Sequence, residues 1–263
     1  MTTSRRPPVT VMTYNIKVDV PHEEISSWAR RRDAVNAVVE FYDPDVFCAQ
    51  EALPHQITDL ARMTQYASVA YGRDDGRGEG EHAAIFYRAD RFDVLKRGSF
   101  WLSETPDEPS YGWQSRHRRM ATWAELADSA ADTRFLVVCT HLDHEFQEAR
   151  TNGGAVLLAR IARIADGLPV ILAGDFNENP DGPAVQAVLR EFRDSRAVSD
   201  RPAVGPDGTF NGFEITNVAP ADRIDYIFVK GDTSVIRQGN LVTVTPDGTL
   251  PSDHFPAFAQ IAL

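Results

Sequence analysis

Residues 168–177 read LPVILAGDFN: a solidly apolar run, stopped at Gly174, that delivers an acid and an amide, Asp175 and Asn177. A strand this apolar has no face to give to water, which predicts a place at the centre of a covered sheet. Other segments repeat the design. Val9, Val11 and Thr13 alternate with Thr10, Met12 and Tyr14 in a strand ending near Asn15, and VFCAQE (46–51) is a short buried strand ending in Gln50 and Glu51. MATWAEL (120–126) and RFLVVCTHL (134–142) read as strands, the second carrying His141 and followed by Asp143; RIDYIFV (223–229), SVIRQGNLVTV (234–244) and FPAFAQIAL (255–263) follow. Further strands are expected near 67–71, 83–88 and 92–102.

Helices fall between them. From Ser26 to Tyr42 the residues Trp28, Val35, Val38, Val39 and Tyr42 recur at helical spacing, with Arg30, Arg31 and Arg32 read as the polar face, and Pro44 ends the helix. Pro54–Met63, Glu145–Asp166 and a short piece near 183–192 complete the set. The segment DDGRGEGE (74–81) is expected to be a flexible polar loop, and 103–118 is too rich in turn formers for regular structure. No exact repeat or linker interrupts this order. Mixed α/β with many strands fits two sheets packed face to face under helices, as one domain over 1–263 with 1–8 flexible.

The chain has 263 residues, 43% of them hydrophobic and 25% charged, with a formal net charge of −11. Proteins that grip long nucleic-acid backbones carry a basic field, and none is visible here overall. Cys48 and Cys139 each lie inside an apolar run, which points to buried free thiols rather than a disulfide. The N-terminus lacks the apolar stretch of a signal peptide and no run of 18 apolar residues occurs, so a cytoplasmic protein is expected, with no membrane association and no evident obligate protein partner.

The chemistry gathers at strand ends: Asn15, Glu51, His141 with Asp143, Asp175 with Asn177, Asp225, and Asp253 with His254 before the last strand. Any one of these has a bland explanation, because Asn and Asp commonly end strands and start turns. Six endings of one chemical type argue for a common cleft. Hard oxygen donors such as Glu51, Asn15, Asp175, Asn177 and Asp253 suit Mg2+ or Mn2+. The rival is zinc on His141, Asp143, His144 and His254, against which stand the lack of a nearby Cys and of an HExxH motif. His22, His55 and His82 are read as surface or loop residues. Trp28, Trp101 and Trp123 are read as core, and Trp113 as the aromatic residue to test.

In order, TYNI (13–16), QE (50–51), IFYR (85–88), THLDH (140–144), GDFN (174–177), RIDYIF (223–228) and SDH (252–254) resemble the successive signatures of the endonuclease/exonuclease/phosphatase superfamily. This group includes abasic-site endonucleases, DNase I, inositol polyphosphate 5-phosphatases, sphingomyelinases and deadenylases. The resemblance implies a four-layer α/β/β/α sandwich and metal-dependent phosphoesterase activity. It implies Glu51 as the direct Mg2+ ligand, Asn15 beside it and Asp253 supporting the metal side. Asp175 and Asn177 are implied to position the attacking water and hold phosphoryl oxygens, and His254, oriented by Asp225, to contact the scissile phosphate. His141 is implied to donate to that phosphate. Either Asp175 or the His254–Asp225 pair can serve as general base.

The THL around His141 resembles the phosphatase, sphingomyelinase and deadenylase branches more than abasic-site endonucleases. FWLSETPD…YGW…RRMATW (100–123) resembles a set of bacterial members. Of the basic run Arg116–Arg119, Arg119 flanks a strand and is the candidate for bidentate contact with substrate phosphate; a solvated loop end is the alternative. The expected substrate is a small phosphorylated molecule, a phosphodiester or phosphomonoester, with a Mg-dependent nuclease or 3′-exonuclease as the alternative reading and a non-catalytic binding module on the same fold as the third.

Overall fold

The computed structural model describes residues 7–63, 65–214 and 216–263. Among these the chain runs β1 (Val9–Asn15), α1 (Trp28–Tyr42), β2 (Val46–Ala52), α2 (Pro54–Leu60), β3 (Tyr66–Val69), β4 (His82–Arg88), β5 (Phe92–Trp101), β6 (Met120–Asp128), β7 (Thr133–His141), α3 (Gln147–Ala165), β8 (Val170–Asp175), α4 (Pro183–Leu189), β9 (Arg193–Asp194), β10 (Asp225–Lys230), β11 (Ser234–Asn240) and β12 (Ala257–Ala262). The strands form two six-stranded sheets, ordered β11-β12-β1-β2-β4-β3 and β5-β6-β7-β8-β10-β9. Both are mixed. β1 runs parallel to β2 and β7 parallel to β8, while the remaining pairings are antiparallel.

Side-chain alternation sorts each central strand between two cores. In β8, Ile171 and Ala173 face the space between the sheets, whereas Val170 and Leu172 pack with Leu157, Leu158 and Ile161 of α3 and Val185 of α4. In β1, Val9 and Val11 join the inter-sheet core, and Met12 and Tyr14 meet Trp28, Val35 and Val39 of α1. Three apolar interfaces therefore separate four layers: helices α1 and α2, sheet, sheet, helices α3 and α4. This is the expected α/β/β/α sandwich. Cys48 and Cys139 are both buried and free, in the inter-sheet core.

Several local expectations need correction. Arg31 is not on the polar face of α1. It is fully buried, on the same stripe as Trp28, Val35 and Val39, and donates to the carbonyls of Ile16, Lys17, Ser26 and Pro251 at 2.7–3.0 Å. His82 is buried too, with Nδ1 at 3.0 Å from the Ala52 carbonyl. The loop after β3 is held by backbone hydrogen bonds, Gly72 N–H to Arg77 O, Arg73 N–H to Glu81 O and Asp74 N–H to Glu79 O. Of the 1–8 segment expected to be flexible, residues 1–6 lie outside the described residues, while the Pro7 and Pro8 carbonyls accept from Arg91 at 3.1 Å. The long strand expected over 234–244 stops at Asn240.

Candidate active site

Strand register builds the site. Across the parallel pair β7–β8, His141 lies opposite Asp175, and across β8–β10 Asp175 lies opposite Asp225. One row of three adjacent strands therefore ends in an imidazole and two carboxylates. Gly174 makes the row possible: a Cβ there would sit 2.1 Å from the Thr140 carbonyl oxygen, at a φ of 154°. In the other sheet, Asn15 pairs with Gln50, next to Glu51. The register of β2 against β4 slips between Ala49 and Ala52, and Glu51 sits in that bulge with φ 64°. Bulges re-aim side chains, and a left-handed glutamate is an uncommon backbone state that the surrounding structure must hold. Asn177, at φ 48°, turns the chain just after β8.

The two strand-end groups meet at the seam of the sheets. The Asn15 amide nitrogen donates to Glu51 Oε1 at 2.9 Å and to Asp175 Oδ2 at 3.0 Å, joining a carboxylate from each sheet. Its carbonyl accepts from the Lys17 backbone N–H at 3.0 Å. Lys17 Nζ lies 3.0 Å from Asp253 Oδ2 and 3.9 Å from Glu51 Oε2. His254 Nδ1 is 2.8 Å from Asp225 Oδ2, and its Nε2 is 3.9 Å from both Asp175 Oδ2 and Asp253 Oδ1. Asn177 donates to the Leu142 carbonyl at 3.0 Å, which fixes its amide orientation and leaves His141 Nε2, also at 3.0 Å, as an acceptor.

The charges are strongly coupled to burial. Burial and the neighbouring Asp225 raise Asp175 to about 7, against the pull of His254 and the Asn15 amide. Burial works against a charged His254, but Asp225, then Asp175 and Asp253, outweigh it and raise the ring to about 10. His141 is driven well below the usual histidine range by burial and by Arg119 and Arg73, so it is neutral. For Glu51, burial is outweighed by Lys17, the Asn15 amide and the Val18 N–H, which hold its carboxyl below the usual range. A protonatable carboxyl beside an imidazolium–carboxylate pair is the charge separation that acid–base chemistry uses.

Glu51, His141, Asp175, Asn177, Asp253 and His254 line one cleft of about 520 Å³, with Asn15 and Asp225 directly behind. Arg119 is buried at the cleft wall, its Nη2 2.7 Å from His144 Nδ1. The sequence reading did not single out Lys17, Arg73, Glu81, Asn179, Phe210 or Asp222, which also line it. Phe210 stands edge-on to His254, ring centroids 5.1 Å apart. Trp113 is not among the lining residues and is half-buried. Arg116 and Arg118 instead pair with Glu145 and Asp74 at the surface.

The donor set suits a hard divalent cation. Glu51, Asp175 and Asp253 bring three carboxylates to one cleft beside the Lys17 ammonium, a set of hard oxygen donors of the kind that hold a divalent cation. Among the described residues, the four of the zinc alternative do not bring their ligand atoms together as one set. His144 is tied to Arg119, His254 to Asp225, and Asp143 to the Ser115 hydroxyl at 2.5 Å.

The sequence profile described as the Endonuclease/Exonuclease/phosphatase family matches residues 12–254. The mannosyl-6-phosphatase of Bacteroides thetaiotaomicron is 33% identical, with a TM-score of 0.90 over 97% of this chain and 100% of that one. A conserved protein of Enterococcus faecalis is 36% identical, with a TM-score of 0.90 over 96% of this chain and 99% of its own. Nocturnin of Drosophila melanogaster is 24% identical over 179 residues, 64% of this chain but 27% of that protein. The chain spans less than two thirds of such curated relatives: 60% of a mimivirus protein and 41% of a plant carbon catabolite repressor protein 4 homologue. No helix among the described residues is long and apolar enough to cross a membrane.

Proposed function

Because this chain belongs to the endonuclease/exonuclease/phosphatase family, we propose that it hydrolyses a phosphate ester in a small phosphorylated molecule, using Mg2+ or Mn2+. The observation that carries this reading is the meeting of Glu51 and Asp175, one from each sheet, on the Asn15 amide, with the His254–Asp225 pair beside them. A cation held by Glu51, with Asn15 and Asp253 supporting it, supplies charge neutralisation for the phosphoryl group. Asp175 and Asn177 position the attacking water. The charged His254 and the His141 ring face the phosphate, and Arg119 holds its outer oxygens. Asp175 takes the water's proton, since the His254 ring held by Asp225 already carries its own. A single domain over 1–263 belongs to this reading, supported by the family match over 12–254.

A small substrate is supported by the 520 Å³ cleft, the net charge of −11, and the name of the Bacteroides relative, a mannosyl-6-phosphatase. Similarity to nocturnin and to fungal 3′–5′-exoribonuclease subunits supports the nuclease alternative. Purified protein with Mg2+ or Mn2+ is to be assayed on p-nitrophenyl phosphate, bis-p-nitrophenyl phosphate, hexose phosphates and labelled single-stranded DNA and RNA. Turnover of the small esters with a KM that changes little between 50 and 200 mM salt is expected. Loss of about three to five orders in affinity over that range is the mark of neutralising many phosphates, and would favour the nuclease.

A further inference from the structure

We propose that Arg73, His117, Arg119 and His144 form an oxyanion pocket that takes the non-ester oxygens of a phosphate monoester, making monoesters rather than diesters the substrates of this site. The proposal rests on the phosphoesterase reading above.

Arg119 is only 6% exposed, yet two of its donor nitrogens, Nε and Nη1, have no partner. Its nearest carboxylate oxygen, Asp143 Oδ2, is 3.8 Å from Nε and already accepts from the Ser115 hydroxyl. A buried guanidinium with idle donors is a costly arrangement unless an anion completes it. Arg73 reaches the same wall from the loop after β3, its Nη1 2.7 Å from Glu81 Oε2 and its Nε without a partner.

The two histidines are oriented by these arginines. Arg73 Nη2 is 3.2 Å from His117 Nδ1, and Arg119 Nη2 is 2.7 Å from His144 Nδ1. A guanidinium only donates, so both Nδ1 atoms are acceptors and each neutral ring carries its proton on Nε2. Burial and the adjacent arginines keep both rings below the usual histidine range, and the rings stack at 5.6 Å. All four side chains line the cleft, with His144 Nε2 3.5 Å from Glu145 Oε1. His117, His144 and Glu145 also bring ligand atoms within 4.8 Å of one another. A cation there would have to displace the Nε2 protons beside two guanidinium charges, so an anion is the better match.

Position supplies the substrate class. Arg73, His117, Arg119 and His144 line the same cleft as His141, Asp175 and His254, so the pocket adjoins the centre where phosphorus reacts. A monoester near neutral pH carries close to two charges on three free oxygens. A diester carries one charge on two free oxygens, and the alkoxy group it retains would lie along a wall of N–H donors, putting carbon where they need acceptors.

Two measurements on the intact protein test this. Orthophosphate binding to the metal-free protein is followed by calorimetry, and kcat/KM for p-nitrophenyl phosphate and bis-p-nitrophenyl phosphate is measured with Mg2+. The variants are Arg119→Lys, which keeps the charge and loses the fork, and His117→Ala, which removes a half-exposed ring; melting temperatures check folding. Expected are a loss of orthophosphate affinity of about 10- to 100-fold, the range for hydrogen bonds to charged groups, and a fall in the monoester-to-diester ratio of at least about tenfold. Wild-type preference for the diester, or both quantities within twofold of wild type in both folded variants, overturns the proposal. So does tighter binding of a hexose bisphosphate than a monophosphate that vanishes in Arg119→Lys, since the pocket would then serve a second phosphate. Absence of turnover on every ester refutes the phosphoesterase reading instead, and orthophosphate binding still judges the pocket.

Discussion

Replacing Asp225 with Asn isolates the partner that charges His254. The wild-type contact is 2.8 Å between two side chains exposed by 1% and 4%. Removing one member of a buried ion pair costs about 3–5 kcal/mol, because the other charge is stranded. If the reaction needs the imidazolium, that converts at about 1.4 kcal/mol per decade into roughly two to four decades of kcat/KM. Asp225 is also the largest influence holding His254 up at about 10 against burial. A raised folded-state value means that this group's stabilisation is complete below the unfolded value near 6.5 and is lost as pH rises through about 10. Asp225→Asn should lower the titration of the His254 ring protons, followed by NMR from pH 5 to 10, and flatten this part of the melting curve against pH. His254→Ala should be about as damaging, and the double variant little worse, since groups acting as a unit are non-additive. An unmoved His254 titration, or losses that multiply in the double variant, would refute the reasoning.

Cation binding should compete with protons. Asp175 is raised to about 7, so in the metal-free protein its contribution is present below the unfolded carboxyl range and lost as pH rises through 7. The increase in melting temperature on adding Mg2+ should therefore grow between pH 5.5 and 8, and a constant increment would count against Asp175 facing the ion. Arg31→Met should destabilise by at least about 1–3 kcal/mol, the cost of one buried carbonyl left without its donor, which in a chain of this size means a drop of roughly 2–12 °C or more. Because Arg31 ties Ile16 and Lys17 to Pro251, next to Asn15 and to Ser252–His254, kcat should fall with it; a melting temperature within 2 °C of wild type would disprove its role.

Layering was legible because strands such as VILAGD and RFLVVCTH are apolar on both faces, and helical spacing between them says what covers those faces. The order of polar strand ends named the groups that the cleft brings together. What escaped was set by tertiary packing. Arg31 looked like one of three surface arginines, although the spacing of Trp28, Val35 and Val39 already put position 31 on their stripe. Arg73 and Glu81 sit in a glycine-rich polar stretch whose hydrogen bonds close only when the loop is folded back on itself. His82 read as surface because nothing local announces a carbonyl 30 residues away as its partner. Lys17 follows the strand that ends at Asn15, and its proximity to Asp253 is a contact across 236 positions that no short pattern encodes.

The central claim is that Asp175, opposite His141 and Asp225 at the end of β8, serves hydrolysis of a phosphate ester assisted by a divalent cation. It is tested most directly by turnover of p-nitrophenyl phosphate by chelator-stripped protein, with and without added Mg2+, for wild type and Asp175→Asn. The account predicts a silent stripped enzyme, activity restored by Mg2+, and a loss of about 10²–10⁴-fold in the folded variant, the usual contribution of a positioned acid–base group. Undiminished activity after stripping, or an Asp175→Asn variant as fast as wild type, would contradict it.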